Sequence, residues 1–443
     1  MTARRLGVFE ATTRSFEALP VHVSGARAPI CHRALMNSRL VTAPSDSELL
    51  TPPGLERMRT YRLARVRGEM ARLRIEACII SDPVNIRYAT DLRNMQVFTA
   101  RNAPCRYVLL TDSHVILFEF PGCFHLAHGS TTLTEIRPAL TASFVAAGTA
   151  VAQQEMRWAQ EMASIVRELV GGAVTVGMER LNAGAALALA GEGFRIVDAQ
   201  EPLELARSIK CAEEVACIRA SLRMTEHAVA HMLTALKPGT SENELWSHLH
   251  QHVIAHGGDY CETRLLSSGH RTNPWFQETG TKIIEANDLV ALDTDVVGCY
   301  GYYSDFSRTF HSGPDRPTSK QKTLYRTALE QVEHNISILR PGLSFREYAE
   351  LAWAIPERYL SNRYYVSAHG CGMTGEYPYL YHRVDYSSAG YDGILSPGMT
   401  ICVESYVGEM GGREGVKLEQ QCLVTASGAE ILSTFPFEEK LLS

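Results

Sequence analysis

Five carboxylates and one imidazole in the C-terminal half of the chain stand where they could hold hard divalent cations. Asp293 and Asp295 are two apart in "LVALDTD", a spacing that in a strand sends both side chains to one face. Asp305 follows after "GCYGYY", about the length of a hairpin that returns a carboxylate beside the first pair. His369 precedes a glycine-rich turn, and Glu404 and Glu419 fall in two consecutive strand-like runs, "TICVES" and "VKLEQ", around "GEMGGREG". Taken singly, each has a plainer use as a turn former, a hydrogen-bonded structural histidine or a water-facing strand residue. Taken together they do not, because carboxylates sent inward from apolar strands repel one another unless cations neutralise them. One imidazole with four or five carboxylates suits Mn, Fe, Co or Zn better than a cysteine-rich structural zinc site does.

The elements that must position these groups are legible in outline. Residues 1–53 show scattered Pro, Gly and Ser with little periodicity and are expected to form an irregular arm. From residue 54, apolar residues at Leu55, Met58, Tyr61, Val66, Met70 and Leu73 recur at helical spacing. "ACIISD", "RYVLLTDSHVILFEF" and "AVTVGM" are strand-like, the second split by Thr-Asp-Ser as in a hairpin, with helical stretches near 152–170 and 182–192. A first mixed domain over 54–206 follows. A second, over 207–443, opens with a long helix in "AEEVACIRASLRMTEHAVAHMLTAL" and continues with a helix after Ser241, whose Glu244 three residues on forms a capping-box pattern. The fold class is α+β.

Composition narrows the function. The 443 residues carry 45% apolar and 21% charged side chains, without an apolar run of the ~18 residues a membrane span needs. A net charge of −6 with no lysine-rich block lacks the footprint that nucleic-acid backbones require. Eleven cysteines with no C-x-x-C pair indicate thiols in a reducing, cytoplasmic compartment. The expected partner is a small molecule, not a membrane or a nucleic acid.

The ordered series Asp, Asp, His, Glu, Glu, with "SDFSRTF", "HGCGM" and "PGMTICVE" around its members, resembles the pita-bread superfamily of methionine aminopeptidases, prolidases and creatinases. That likeness covers roughly residues 205–440, and the first domain resembles the creatinase-type N-terminal domain. It implies a pita-bread domain carrying a dinuclear metal site, with Arg308 as a structural ion-pair partner. Peptidases of this fold place one histidine on the loop before the first Asp and another several residues after the metal His. Here those places read "NPWF" (273–276) and Thr374, Gly375, Glu376, with no histidine until His382.

"DPVNIRYATDLRNMQ", "GGDYCETRLLSSGHRTNPWFQETG", "DTDVVGCYG" and "YDGILSPGMTICVE" instead resemble the pita-bread dimethylsulfoniopropionate lyases. The resemblance implies two divalent ions, iron favoured with Mn, Co or Zn as alternatives, at Asp293, Asp295, Asp305, His369, Glu404 and Glu419. It implies a small carboxylate substrate from which a base takes a proton while dimethyl sulfide leaves to give acrylate. A sulfonium favours aromatic faces; Tyr364, five residues before His369, matches a substrate-contacting tyrosine of that branch, and Trp275 and Tyr377 are further candidate contacts. The branch carries its catalytic Asp six residues after the metal His, where this chain has Gly375. The base would then be Glu376, a metal-bound hydroxide or a tyrosinate, so Glu376 and Tyr364 are the candidate catalytic side chains. A homodimer is implied by the same resemblance. A C–N hydrolase and a non-catalytic binding module are the competing functions.

Overall fold

The computed structural model describes residues 45–101, 105–172 and 174–443. The irregular arm expected over 1–53 lies outside the described residues as far as residue 44; beyond that a short helix, Asp46–Leu49, precedes the helix Pro52–Leu73. Six strands form the first sheet: β1 (Ala77–Ile80), β2 (Tyr107–Thr111), β3 (Val115–Glu119), β4 (Glu135–Pro138), β5 (Thr175–Met178) and β6 (Arg195–Asp198), in the order β4-β3-β2-β1-β5-β6. The Thr-Asp-Ser break makes the β2–β3 pair an antiparallel hairpin. Side chains alternate across these strands. Ile79, Leu109, Ile116 and Phe118 pack on Trp158, Met162 and Val166 of the helix Val151–Val170. Ile80, Val108, Leu110 and Leu117 face the opposite way, with Met58, Val66 and Met70 of Pro52–Leu73.

The remaining strands are β7 (Tyr260–Cys261), β8 (Leu266–Ser268), β9 (Leu289–Asp293), β10 (Val296–Val297), β11 (Tyr303–Ser304), β12 (Ser307–His311), β13 (Ala368–Cys371), β14 (Gly375–Leu380), β15 (Thr400–Gly408), β16 (Gly415–Thr425) and β17 (Gly428–Ile431). They form sheets ordered β11-β10-β7, β12-β9-β8 and β14-β13-β15-β16-β17. Helices Ala212–Thr234, Glu242–Ala255 and Ser319–Ile338 lie among them. The Ser241 hydroxyl accepts from the Glu244 amide at 3.1 Å, satisfying one orphan donor at the start of Glu242–Ala255. Among the described residues no helix is long and apolar enough to cross a membrane.

Two local expectations need correction. Asp293 and Asp295 do not share a strand: β9 ends at Asp293, and Asp295 sits at φ 42°, a left-handed kink that passes the chain from the β12-β9-β8 sheet to the β11-β10-β7 sheet. Arg308, fully buried, makes no ion pair among the described residues; its guanidinium donates to the carbonyls of Phe435, Pro436, Ser307 and Glu419 and to Gln420 Oε1. It ties the C-terminal segment to β12 and β16 through backbone acceptors.

Candidate metal centre

Register brings the carboxylates together. Glu404 on β15 lies directly opposite Glu419 on β16, and Asp293 at the end of β9 lies opposite Ser307 on β12. The β10–β11 pairing returns the chain so that Asp305, between β11 and β12, can join them. Ligand atoms of Asp293, Asp295 and Asp305 all lie within 4.8 Å of one another, as do those of Asp305, His369, Cys402 and Glu419. The two groups share Asp305.

His369 Nδ1 lies 2.9 Å from the Gly370 carbonyl, which orients Nε2 toward the acids, 3.3 Å from Glu404 Oε1, 3.6 Å from Asp305 Oδ2 and 3.7 Å from Glu419 Oε1. Burial disfavours its charged form, but the Glu404 and Glu419 carboxylates outweigh that and push the ring up to about 10. Tyr303 donates to Asp295 Oδ1 at 2.7 Å, and Thr263 bonds the other oxygen. Burial and the Asp293 charge nonetheless push Asp295 up to about 7. Asp305 is raised well above the carboxylate range by burial and by the charges of Glu419, Asp295 and Asp293.

One cation is already built in. Lys417, two residues before Glu419 on β16 and fully buried, places Nζ 2.5 Å from Glu404 Oε2 and 3.1 Å from both Asp293 Oδ2 and Glu419 Oε2. Burial alone would raise Asp293, but the Lys417 ammonium and the Ser307 hydroxyl hold it below the usual range. Sequence reasoning missed Lys417, although the two-residue spacing from Glu419 in a strand placed both on one face. One ammonium cannot balance five carboxylates. Asp305 Oδ1 and Glu419 Oε1 are buried with no hydrogen-bond partner among the described residues, which is the demand a divalent cation would meet. The donor set therefore fits a divalent metal centre.

The centre opens into a cavity of about 440 Å³ lined by Asp293, Asp295, Asp305, His369 and Glu404 together with Glu262, Glu278, Phe276, Tyr303, Tyr364, Tyr365, Tyr379, Thr374 and Gly375. Tyr364 lines the cavity; its ring lies 4.7 Å from Lys417 Nζ, and burial with the charges of the surrounding carboxylates raises its hydroxyl well above the ordinary value. Glu376 is absent from this lining. Successive strand residues face opposite sides, so while Gly375 opens on the cavity, the Glu376 carboxylate lies behind β14, taken by Arg207 Nε at 2.9 Å and by Lys210. Trp275 is buried against Tyr406, and the left-handed turn at Phe276 (φ 70°) sends Phe276 to the cavity in its place. Tyr377 stacks on Tyr391, beside Phe345, and lines a neighbouring cavity.

Glu262 was not anticipated either. It follows β7, its amide donates to the Asp295 carbonyl at 2.8 Å, and the Thr374 hydroxyl lies 3.0 and 3.2 Å from its two carboxylate oxygens. Glu262 is exposed on the cavity wall, yet burial of its carboxylate end raises it above the ordinary value, against the hydrogen bond from Thr374. Glu278, the other carboxylate on the rim, is paired with Arg264 at 3.0 Å.

Residues 216–426 match metallopeptidase family M24 and residues 62–209 the creatinase/prolidase N-terminal domain. The chain is 32% identical to dimethylsulfoniopropionate lyase DddP of Roseovarius nubinhibens over 89% of both chains. It is 31% identical to the DddP of Roseobacter denitrificans over 91% of this chain and 92% of that one. Among solved structures, an Xaa-Pro dipeptidase from Bacillus anthracis superposes with a TM-score of 0.69 over 86% of this chain and 99% of that one, at 23% identity, a likeness of fold. The chain belongs to metallopeptidase family M24, with a creatinase/prolidase-type N-terminal domain, and within that family it groups with the dimethylsulfoniopropionate lyases.

Proposed function

We propose that this protein is a metal-dependent lyase that eliminates dimethyl sulfide from dimethylsulfoniopropionate or a close β-sulfonium carboxylate. The observation that carries the reading is the make-up of the cavity wall. Among the described residues lining it, His369 is the sole imidazole, while four aromatic rings, Phe276, Tyr364, Tyr365 and Tyr379, cluster on one side. Their centroids lie 4.8 Å apart for Tyr364–Tyr365, 5.1 Å for Phe276–Tyr364 and 5.8 Å for Tyr365–Tyr379. Amide hydrolysis in this fold asks for imidazoles beside the scissile bond, whereas a sulfonium cation asks for aromatic faces. The cavity offers the second environment.

Asp293, Asp295, Asp305, His369, Glu404 and Glu419 would hold two divalent ions, iron being our first assignment. Their chemistry, when bound, is to take the substrate carboxylate and stabilise the charge that develops as the adjacent carbon loses its proton. The protein's own groups do the rest. With the aromatic cluster holding the sulfonium, the Glu262 carboxylate takes the proton from the carbon next to the substrate carboxylate. That C–H pair becomes the double bond of acrylate, and the C–S pair departs with dimethyl sulfide. A carboxyl raised above its ordinary value suits a base working near neutrality. Thr374 holds it beside Gly375, the place where the lyase branch carries its aspartate.

In this reading the protein is a cytoplasmic homodimer whose metal-binding domain spans 207–443. The test is a metal-reconstituted preparation assayed for acrylate and dimethyl sulfide from dimethylsulfoniopropionate, beside a panel of Xaa-Pro dipeptides. Acrylate release that disappears in Glu404→Ala supports the lyase; dipeptide cleavage without acrylate overturns it in favour of a hydrolase.

A further inference from the structure

Far from the carboxylates in chemical character, a second group of metal-binding side chains lies on two neighbouring helices. In Ala212–Thr234, His227 and His231 are four residues apart; in Glu242–Ala255, His248 and His252 are four apart, and His256 follows its end. That spacing sends each pair to one face of its helix. The faces meet. The ring centroid of His231 lies 5.2 Å from that of His252 and 5.8 Å from that of His248, and His252 stacks on His256 at 3.9 Å.

Those spacings are informative. An imidazole nitrogen binds zinc at about 2.0–2.1 Å, which puts the ring centroid about 3.2 Å from the ion and two rings on a tetrahedral ion about 5 Å apart. His231 therefore stands at near-ligating separation from His252 and close to it from His248; the nitrogens of the three rings do not all lie within 4.8 Å of one another as they stand, so a side-chain rotation on Glu242–Ala255, where His248 and His252 are four residues apart, completes the set. The nitrogens are also unspent: among the described residues no hydrogen bond or ion pair reaches the rings of these three, whereas His256 Nδ1 lies 2.8 Å from the His252 carbonyl. Burial and the neighbouring His256, His231 and His227 hold His252 below its ordinary value, favouring the neutral, ligating form. His231 is exposed and His248 and His252 half-buried, so an ion can enter from solvent.

We propose that His231, His248 and His252 form a second metal site, independent of the carboxylate centre, that takes a borderline first-row divalent ion and bridges the two helices. Its all-nitrogen donor set selects Zn2+, Ni2+ or Cu2+, whereas the carboxylate-rich centre suits harder ions, so one chain would sort two classes of metal.

The experiment uses untagged full-length protein whose carboxylate centre has been filled with Mn2+, equilibrated against buffered Zn2+, with zinc and manganese counted per chain. The expected result is about one more zinc per chain in the wild type than in His231→Asn/His248→Asn/His252→Asn, at equal manganese. Equal zinc counts would overturn the site. Should the triple variant fail to fold, His248→Asn alone is expected to weaken zinc binding at least tenfold, and unchanged zinc affinity in that variant overturns the proposal as well.

Discussion

Replacing Glu262 by glutamine removes a base and little else. The side chain keeps its size, Thr374 can still hydrogen-bond it through a rotated hydroxyl, and no candidate metal ligand is touched, so stability should stay within about 0.5 kcal/mol. A positioned general base contributes about 10²–10⁴ in rate, and the structure offers no ready substitute: Glu278 is tied to Arg264, and Glu376 lies behind β14 with Arg207 and Lys210. Acrylate formation in Glu262→Gln should therefore fall by about 10²–10⁴ in kcat, about 3–5 kcal/mol in activation free energy, with KM nearly unchanged. The geometry at 375 supplies a rescue. A Cβ added to Gly375 meets only the His369 ring, at 3.9 Å, with no positive φ to strain it. Gly375→Asp in the Glu262→Gln background should restore kcat at least tenfold by returning a carboxylate to the cavity. The assay is acrylate production against substrate concentration for wild type, single and double variants. A Glu262→Gln protein within threefold of wild-type kcat would refute the base assignment, while a wild type silent on dimethylsulfoniopropionate would refute the lyase reading itself.

The buried charges predict opposite signs for two substitutions in the metal-free chain. Asp305→Asn removes one uncompensated carboxyl and should raise its unfolding free energy by about 1–3 kcal/mol, whereas Lys417→Met strips three carboxylates of their counter-ion and should lower it by about 3–5 kcal/mol, both read from urea unfolding after chelation. Phe276→Ala with Tyr365→Ala should raise KM for the sulfonium substrate by about 2- to 30-fold at nearly constant kcat, the worth of about 0.5–2 kcal/mol of cation–π contact. Burial holds His382 down to about 4, with Nε2 donating to the Tyr364 carbonyl at 2.9 Å. The unfolded chain then takes up that proton first, so the stability linked to it is whole above about pH 6.5 and is lost as pH falls toward 4. His382→Gln should remove about 3 kcal/mol of the stability difference between pH 7.5 and pH 4, measured by urea unfolding at both.

Several features are legible in the order of the residues. Inward carboxylates on apolar strands announce a cation because their mutual repulsion does not depend on how the strands are arranged. The strand alternation that pairs Glu404 with Glu419, and the helical spacing of Met58, Val66 and Met70, are short-range periodicities of the kind a chain writes into its own order. Lys417, two residues before Glu419 in an apolar strand, belongs to the same class, but a lone lysine there carries little signal beside five acids.

Other features were decided by partners distant along the chain. Whether Glu376 faces the cavity depends on which side of β14 meets Arg207 and Lys210, residues well over a hundred positions away. Trp275 and Phe276 exchange places because of one left-handed residue, and Tyr377 is drawn off by Tyr391. The histidines of the two helices look unremarkable along the chain and become a cluster only where the helices pack. The order of the residues thus determined the candidate metal ligands and the elements that carry them, since charge, apolar burial and periodicity act locally. Which groups face the substrate was left to tertiary packing, because the facing of a side chain is settled by the neighbours that compete for it.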